Sequence, residues 1–219
     1  MFNRETGTAF HVITGVGFGP EVVQRNLQAE YLERYTLPSM LSQTARELFK
    51  WIIACDVSLG DDVLELVSHV AARSGADVTW IVNTEEATWG EILRDRYIWN
   101  SPHPSRVVTV GLPAGGAMNR KYLQTIHDHW ESKEAGWLSF TGGVLVDLKG
   151  RVAYTKRQKN NFGSRKEVAR SGLTLAASDP PAEGAAVISE FKQSKTAWLV
   201  PSDRDISEPE PIDLLEFGV

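Results

Sequence analysis

The sequence predicts an α/β fold: a mostly parallel sheet with flanking helices, followed by a C-terminal β-hairpin region. Three observations lead there. First, β-branched apolar runs alternate with helical patterns up to Trp130, in the order β-α-β-α-β-α-β-α, which implies parallel strands joined by helices. Second, the helices disappear after Trp130, and Lys149-Gly150 separates two short apolar runs as a hairpin turn would. Third, the run Val107-Val108-Thr109-Val110 stops at the uncharged turn Gly111-Leu112-Pro113-Ala114-Gly115-Gly116 before a helical pattern begins. Open α/β sheets hold their ligands at such a place, at the carboxyl end of a strand.

Residues 10–14 form the first expected strand, ending at Thr14. Gly15-Val16-Gly17-Phe18-Gly19-Pro20 follows. Its spacing is GxGxG rather than the dinucleotide fingerprint, so it reads either as a phosphate approach or as a loop before a helix starting near Pro20. That helix extends to about Tyr35, and a second starts with Thr36 as its cap. Phe49–Cys55 is the second strand and ends at Asp56, which either reaches a ligand or starts the next loop. In Asp61–Arg73, Val63, Leu66, Val67, Val70 and Ala71 make a helical stripe that leaves His69 toward solvent. Asp77–Asn83 is the third strand, and Thr88-Trp89-Gly90-Glu91 fits a capping box opening a helix to about Tyr97. His103, between two prolines, reads as a surface residue. Beyond the fourth strand, Met118, Tyr122, Ile126 and Trp130 recur every four residues on one helix face. His127 and His129 are two apart and point to different faces, so they make no metal pair.

In the second half, Trp137–Phe140 is a short strand, and Val144–Leu148 pairs with Arg151–Tyr154. Lys156–Lys166 is basic and polar, either a loop closing on a ligand or a solvated turn. Ala176–Gly184 is a linker, and the acidic tail Asp203–Val219 is expected to be poorly ordered or laid over the surface.

Composition bounds the function. With 42% apolar and 23% charged residues the chain suits a soluble globular protein with a sizeable core. Its net charge of −5 gives no reason to expect nucleic acid or anionic membrane as a partner. The single Cys55 rules out an internal disulfide and reads as a buried small hydrophobe. Neither a signal peptide nor a membrane-spanning apolar run is visible, and a cytoplasmic protein is the expectation. A homo-oligomer or membership of a larger assembly is compatible with all of this.

Several segments together resemble the rhamnosyltransferase family, glycosyltransferases assigned the GT-A fold. Tyr31–Thr44, which contains Tyr35-Thr36-Leu37-Pro38-Ser39-Met40-Leu41-Ser42-Gln43-Thr44, is similar to its "yTLPSllaQT" segment, and Phe49–Asp56 to its "F.Wlvl.D" strand. Val107–Leu123 resembles "vttvRLDdDDAl...yl" except at its centre. Ser139–Val144 and Asn160-Asn161-Phe162 resemble later elements, and the likeness spans roughly residues 8–205. The resemblance implies one GT-A-like domain over 1–205, with a nucleotide-binding half (1–116), an acceptor half (117–205) and an acidic tail (206–219). It implies sugar transfer from a nucleotide-sugar to a glycan acceptor, with magnesium or manganese held by an Asp-x-Asp turn against the leaving diphosphate.

The sequence departs from that pattern at the turn. The family's acidic positions fall on Pro113, Ala114, Gly115 and Gly116, and its arginine on Gly111. Gly15 stands where an arginine is common, and Pro201-Ser202 where a metal-facing histidine is expected. No metal or other cofactor is therefore expected here. An active, metal-independent transferase would draw on Thr14, Asp56, Lys156 and Arg157 for the nucleotide-sugar, with further charge from Lys159, Arg165 and Lys166. Asp128 or Asp147 would activate the acceptor. The alternative is a non-catalytic structural or carbohydrate-binding protein on the same scaffold.

Overall fold

The apolar runs of the first half build the centre of one sheet. The computed structural model describes residues 2–3, 7–17, 30–81, 105–133, 135–140, 142–147, 152–156, 163–168, 186–188, 198–202 and 214–218. The expected helix at 88–97, His103, Arg157, Lys159 and the linker 176–184 lie outside them. Strands β1 (Phe2–Asn3), β2 (Thr8–Val16), β3 (Lys50–Asp56), β4 (Asp77–Ile81) and β5 (Arg106–Gly111) come first. After β6 (Ala117–Met118) come β7 (Gly136–Phe140), β8 (Gly142–Asp147), β9 (Val152–Lys156), β10 (Gly163–Val168), β11 (Ala186–Ile188) and β12 (Trp198–Ser202). The helices are α1 (Leu37–Leu41), α2 (Asp61–Ser74) and α3 (Tyr122–Glu131).

The main sheet has the order β11-β7-β10-β5-β2-β3-β4, with β1 beside β2. The pairs β5–β2, β2–β3 and β3–β4 are parallel, and β10 runs antiparallel to both β5 and β7. The mostly parallel sheet is thus present. Its one reversed long strand corrects the reading of 156–166 as loop or turn, because Gly163–Lys166 belong to β10. A smaller sheet, β6-β12-β8-β9, contains the expected hairpin: β8 and β9 pair antiparallel with Val146 opposite Val152.

One core packs Phe10, Val12 and Val16 of β2 and Ile53 of β3 against Val63, Val67 and Val70 of α2. Tyr122, Leu123, Ile126 and Trp130 of α3 close the same core. Cys55 is fully buried there, and burial pushes its thiol up to about 12, out of the reactive range. The predicted stripe on α2 is observed, except that Leu66 is only half-buried, and His69 is exposed. Met118 is buried as expected but sits in β6, so the four-residue spacing joins a strand residue to three helix residues.

The expected break before Thr36 is instead a continuous helix with a wide turn. Leu32–Thr36 is π-helical, and the Leu37 amide bonds back five residues to the Leu32 carbonyl. Pro38 supplies a physical reason: it lacks an amide hydrogen, and its ring crowds the carbonyl four residues back. A second small core joins Tyr35, Ala117, Val144, Val146, Leu199 and Phe217. Phe217 is fully buried, so the last turn of the tail, Leu214–Phe217, is docked on this core rather than poorly ordered.

Candidate functional site at the end of the parallel strands

The chain reverses its direction of sheet growth at β2: β3 and β4 add on one side, β5 on the other. That reversal falls at the carboxyl ends of β2 and β5, the position where open α/β sheets take ligands. Gly17, Asp56 and the turn after Gly111 stand at this end.

Asp56 closes β3 and is buried. Its Oδ1 accepts the Ser58 amide at 2.8 Å, which shapes the turn toward α2. Gly17 has φ +91, and a Cβ there would meet Leu59 Cδ1 at 2.7 Å and Asp56 Cβ at 3.0 Å. The glycine therefore lets β2 end tight against the Asp56–Leu59 turn. Gly15 lies inside β2 opposite Ala54, so of Gly15 and Gly17 only Gly17 is outside the strand.

The turn after β5 is held by bonds to its backbone and by Leu112, which is buried in the main core with Ala114 packed against it. Leu112 N donates to Ile13 O at 3.0 Å, Gly116 N to Pro113 O at 2.8 Å, and Gly115 N to Thr36 Oγ1 at 2.9 Å. Gly115 has φ +86, which glycine adopts without strain. Pro113 and Ala114 are half-buried, whereas Gly115 and Gly116 are enclosed. The residues do not fit a divalent cation: no side chain from Gly111 to Gly116 carries an oxygen, and three of the turn's amides are engaged inward. Among the described residues no group of three His, Cys, Asp or Glu side chains is arranged to hold a metal.

Four polar side chains of the 36–44 segment contact residues 115–123. Beyond Thr36, Ser39 Oγ accepts the Met118 amide at 3.2 Å. Gln43 Nε2 donates to Met118 O at 3.2 Å and Asn119 O at 2.9 Å, while its Oε1 accepts the Leu123 amide at 3.1 Å. Thr44 Oγ1 donates to Arg120 O at 3.3 Å, and its backbone amide to the same oxygen at 3.1 Å. Thr36 is thus no helix cap, and Gln43 was not singled out from sequence. The recognisable TLPS…QT string was the available signal.

The other sequence candidates are spread out. Thr14 is fully buried on the helix side of β2, and its Oγ1 accepts the Trp51 indole at 3.0 Å. Asp128 is exposed and accepts Gln124 Nε2 at 2.6 Å. It lies ~9 Å further along α3 than Tyr122, next to His127, whose ring meets Phe10 near the start of β2 at 5.1 Å. Asp147 ends β8 in register with Ser202 of β12, the strand that also pairs with β6 directly after the turn. Lys156 ends β9 opposite Gly142, just past the carboxyl end of β7. Arg165 stacks over Trp137 at 4.9 Å. Lys166 is buried and donates to Trp130 O at 2.5 Å and Lys133 O at 2.6 Å, at the end of α3. The structure therefore sets Asp56 and the turn at the same end of the sheet, on strands separated by β2; Thr14 lies one residue past the Ile13–Gly111 pair with its hydroxyl on Trp51, and Asp128, Arg165 and Lys166 lie elsewhere.

No known protein family and no curated protein matches the chain in sequence. Among solved structures, TarS from S. aureus has a TM-score of 0.42 at 16% identity, over 65% of this chain and 37% of that one. A mannosyltransferase from Pyrobaculum calidifontis, in complex with GDP-Man and Mn2+, has 0.43 at 15%, over 68% and 44%. A 4-diphosphocytidyl-2C-methyl-D-erythritol synthase from Anaerococcus prevotii has 0.39 at 13%, over 75% and 73%. The chain spans less than half the length of the first two. Among the described residues no helix is long and apolar enough to cross a membrane.

Proposed function

We propose that the chain is a GT-A-like, nucleotide-sugar transferase-type protein whose donor crevice lies at the carboxyl ends of β2, β3 and β5 and uses no metal. The observation that carries the reading is Asp56, a buried carboxylate at a strand end beside the point where sheet growth reverses. A carboxylate there suits the hydroxyls of a ribose or the donor groups of a base. Lys156 and Arg157 are the proposed partners of the diphosphate, with Arg157 outside the described residues. Asp147 is the proposed base toward the acceptor hydroxyl. It is preferred over Asp128 because it belongs to the sheet that continues from the turn, whereas Asp128 lies well along α3.

Calorimetric titration with UDP, GDP and dTDP, with and without manganese, tests this. Manganese-independent binding that weakens about tenfold in Asp56→Asn supports it. Binding that needs manganese contradicts the reading of the turn.

A second reading is favoured by one observation. The positions where the resemblance calls for carboxylates hold Pro113, Ala114, Gly115 and Gly116, whose side chains can bind neither a diphosphate nor a metal. A non-catalytic protein on this scaffold would keep the backbone and lose the chemistry. Failure to bind any of the three nucleotides selects that reading.

A further inference from the structure

Apart from Leu112, buried in the main core, and Ala114 packed against it, the turn has no side chain that would fix its shape, yet its backbone is closely specified. We infer that the segment Thr36–Thr44 is the positioning element of the strand–turn–helix 111–123, fixing its path from outside through side-chain bonds to its backbone. The inference rests on the proposed reading only in treating the turn as a wall of the donor crevice.

Three features carry it. The contacts are spaced along the target: Thr36 meets Gly115, Ser39 meets Met118, Gln43 meets Met118, Asn119 and Leu123, and Thr44 meets Arg120. They join residues 75 to 80 positions apart in the chain, so local turn propensity cannot supply them. Thr36, Ser39 and Gln43 are also buried, where an unmade bond leaves a polar atom without water. Gln43 is pinned in one orientation: Nε2 also donates to Ser39 O at 3.2 Å, so a flipped amide would set its oxygen against three carbonyls. The π-helical turn Leu32–Thr36 belongs to the same device. An extra residue in that turn rotates the helix beyond it, and Thr36, the last residue of the turn, is the one that reaches Gly115. The bonds to the turn go to its main chain, so its path does not depend on polar side chains of its own; Leu112 anchors it further in the core. That accounts for a turn of Gly, Leu, Pro and Ala retaining an ordered geometry at the sheet end that also carries Asp56.

The test is amide hydrogen exchange by NMR on the full chain, in wild type, Thr36→Val and Thr36→Ser. Thr36→Val should speed exchange at Gly115 about tenfold or more, the effect of one lost buried hydrogen bond. It should also speed Gly116 and Met118 while leaving the α2 amides of Val67 and Val70 unchanged. Thr36→Ser keeps the acceptor oxygen and should restore protection. Unchanged exchange at Gly115 in Thr36→Val, a change confined to Gly115, or no rescue by Thr36→Ser overturns the inference. Should Thr36→Val not fold, Ser39→Ala poses the same question at Met118, with Gly115 and Gly116 as the neighbours that must respond. Exchange needs no ligand, so its outcome stands apart from the nucleotide titration that tests the proposed function. Where wild type binds nucleotide, Thr36→Val should weaken that binding and Thr36→Ser recover it.

Discussion

The indole Nε1 of Trp130 donates to Ser164 Oγ at 2.8 Å, joining the last turn of α3 to the middle of the main sheet. Two residues on, Lys166 reaches the same helix end, with its ammonium on the carbonyls of Trp130 and Lys133. A cation at a helix C-terminus meets unpaired carbonyls and the negative end of the helix dipole. The basic character of 163–166 is thus used, in part, for architecture.

Lys166→Met should therefore destabilise the fold by about 1.5–3 kcal/mol, the usual cost of losing a charged hydrogen-bond donor in a buried setting. Urea unfolding measures it. If Lys166 instead served a ligand, the stability of the free protein would hardly change.

Phe217 gives a second test. It is fully buried against Tyr35, Ala117, Val144, Val146 and Leu199. Phe217→Ala should cost about 3–5 kcal/mol, the range for emptying a large aromatic site. A change in melting behaviour indistinguishable from zero would mean that the last turn is not part of the core.

His11 sets a pH dependence. It is buried in β2, its Nδ1 has no hydrogen-bond partner among the described residues, and burial lowers its pKa to about 3. The unfolded chain takes up a proton near pH 6.5 while the folded one does not. Stability is then full above that pH and falls as pH drops toward 3, by on the order of 4 kcal/mol at pH 3.5. His11→Leu should flatten this part of a stability–pH curve measured by urea unfolding. An unaltered slope would assign the acid sensitivity to other groups.

The turn itself is open to grafting. Gly115, at φ +86 and enclosed, is a poor host for a carboxylate, whereas Pro113 and Ala114 are half-buried. Pro113→Asp with Ala114→Asp should raise manganese affinity at least about tenfold over wild type, since paired carboxylates supply the hard oxygen ligands now missing. Electron paramagnetic resonance of free manganese reads this directly. No gain would mean that the path of the turn does not suit a metal.

How much of this was legible in the sequence depends on where the bonding partners lie. Asp61–Ser74 was readable because its stripe is local and its core face apolar. The strands β2, β3 and β5 were readable from β-branched runs. Strand β10 was not, because Gly163–Val168 carries Ser, Arg, Lys and Glu and looks like a solvated segment. Its buried polar residues are stable only because Trp130 and the α3 carbonyls, about 30 residues away, satisfy them. Thr36 was misread for a similar reason: beside Pro38 it resembles a cap, and its actual partner is 79 residues distant. Of the candidate site, Asp56 and the turn were visible as strand ends, while the separation of Asp128 from both needed the direction of α3.

The antiparallel position of β10 between β5 and β7 has a consequence for synthesis. A nascent chain that has emerged only as far as Phe140 can pair β2 with β3 and β5, and β3 with β4, but the outer edge of β5 must wait for Gly163–Val168. Until then Val107, Val108 and Val110 form an open β-branched edge, the kind that recruits strands from other chains. Truncations ending before residue 163 should consequently be prone to aggregate, and fragments of this protein intended for study are best cut downstream of β10.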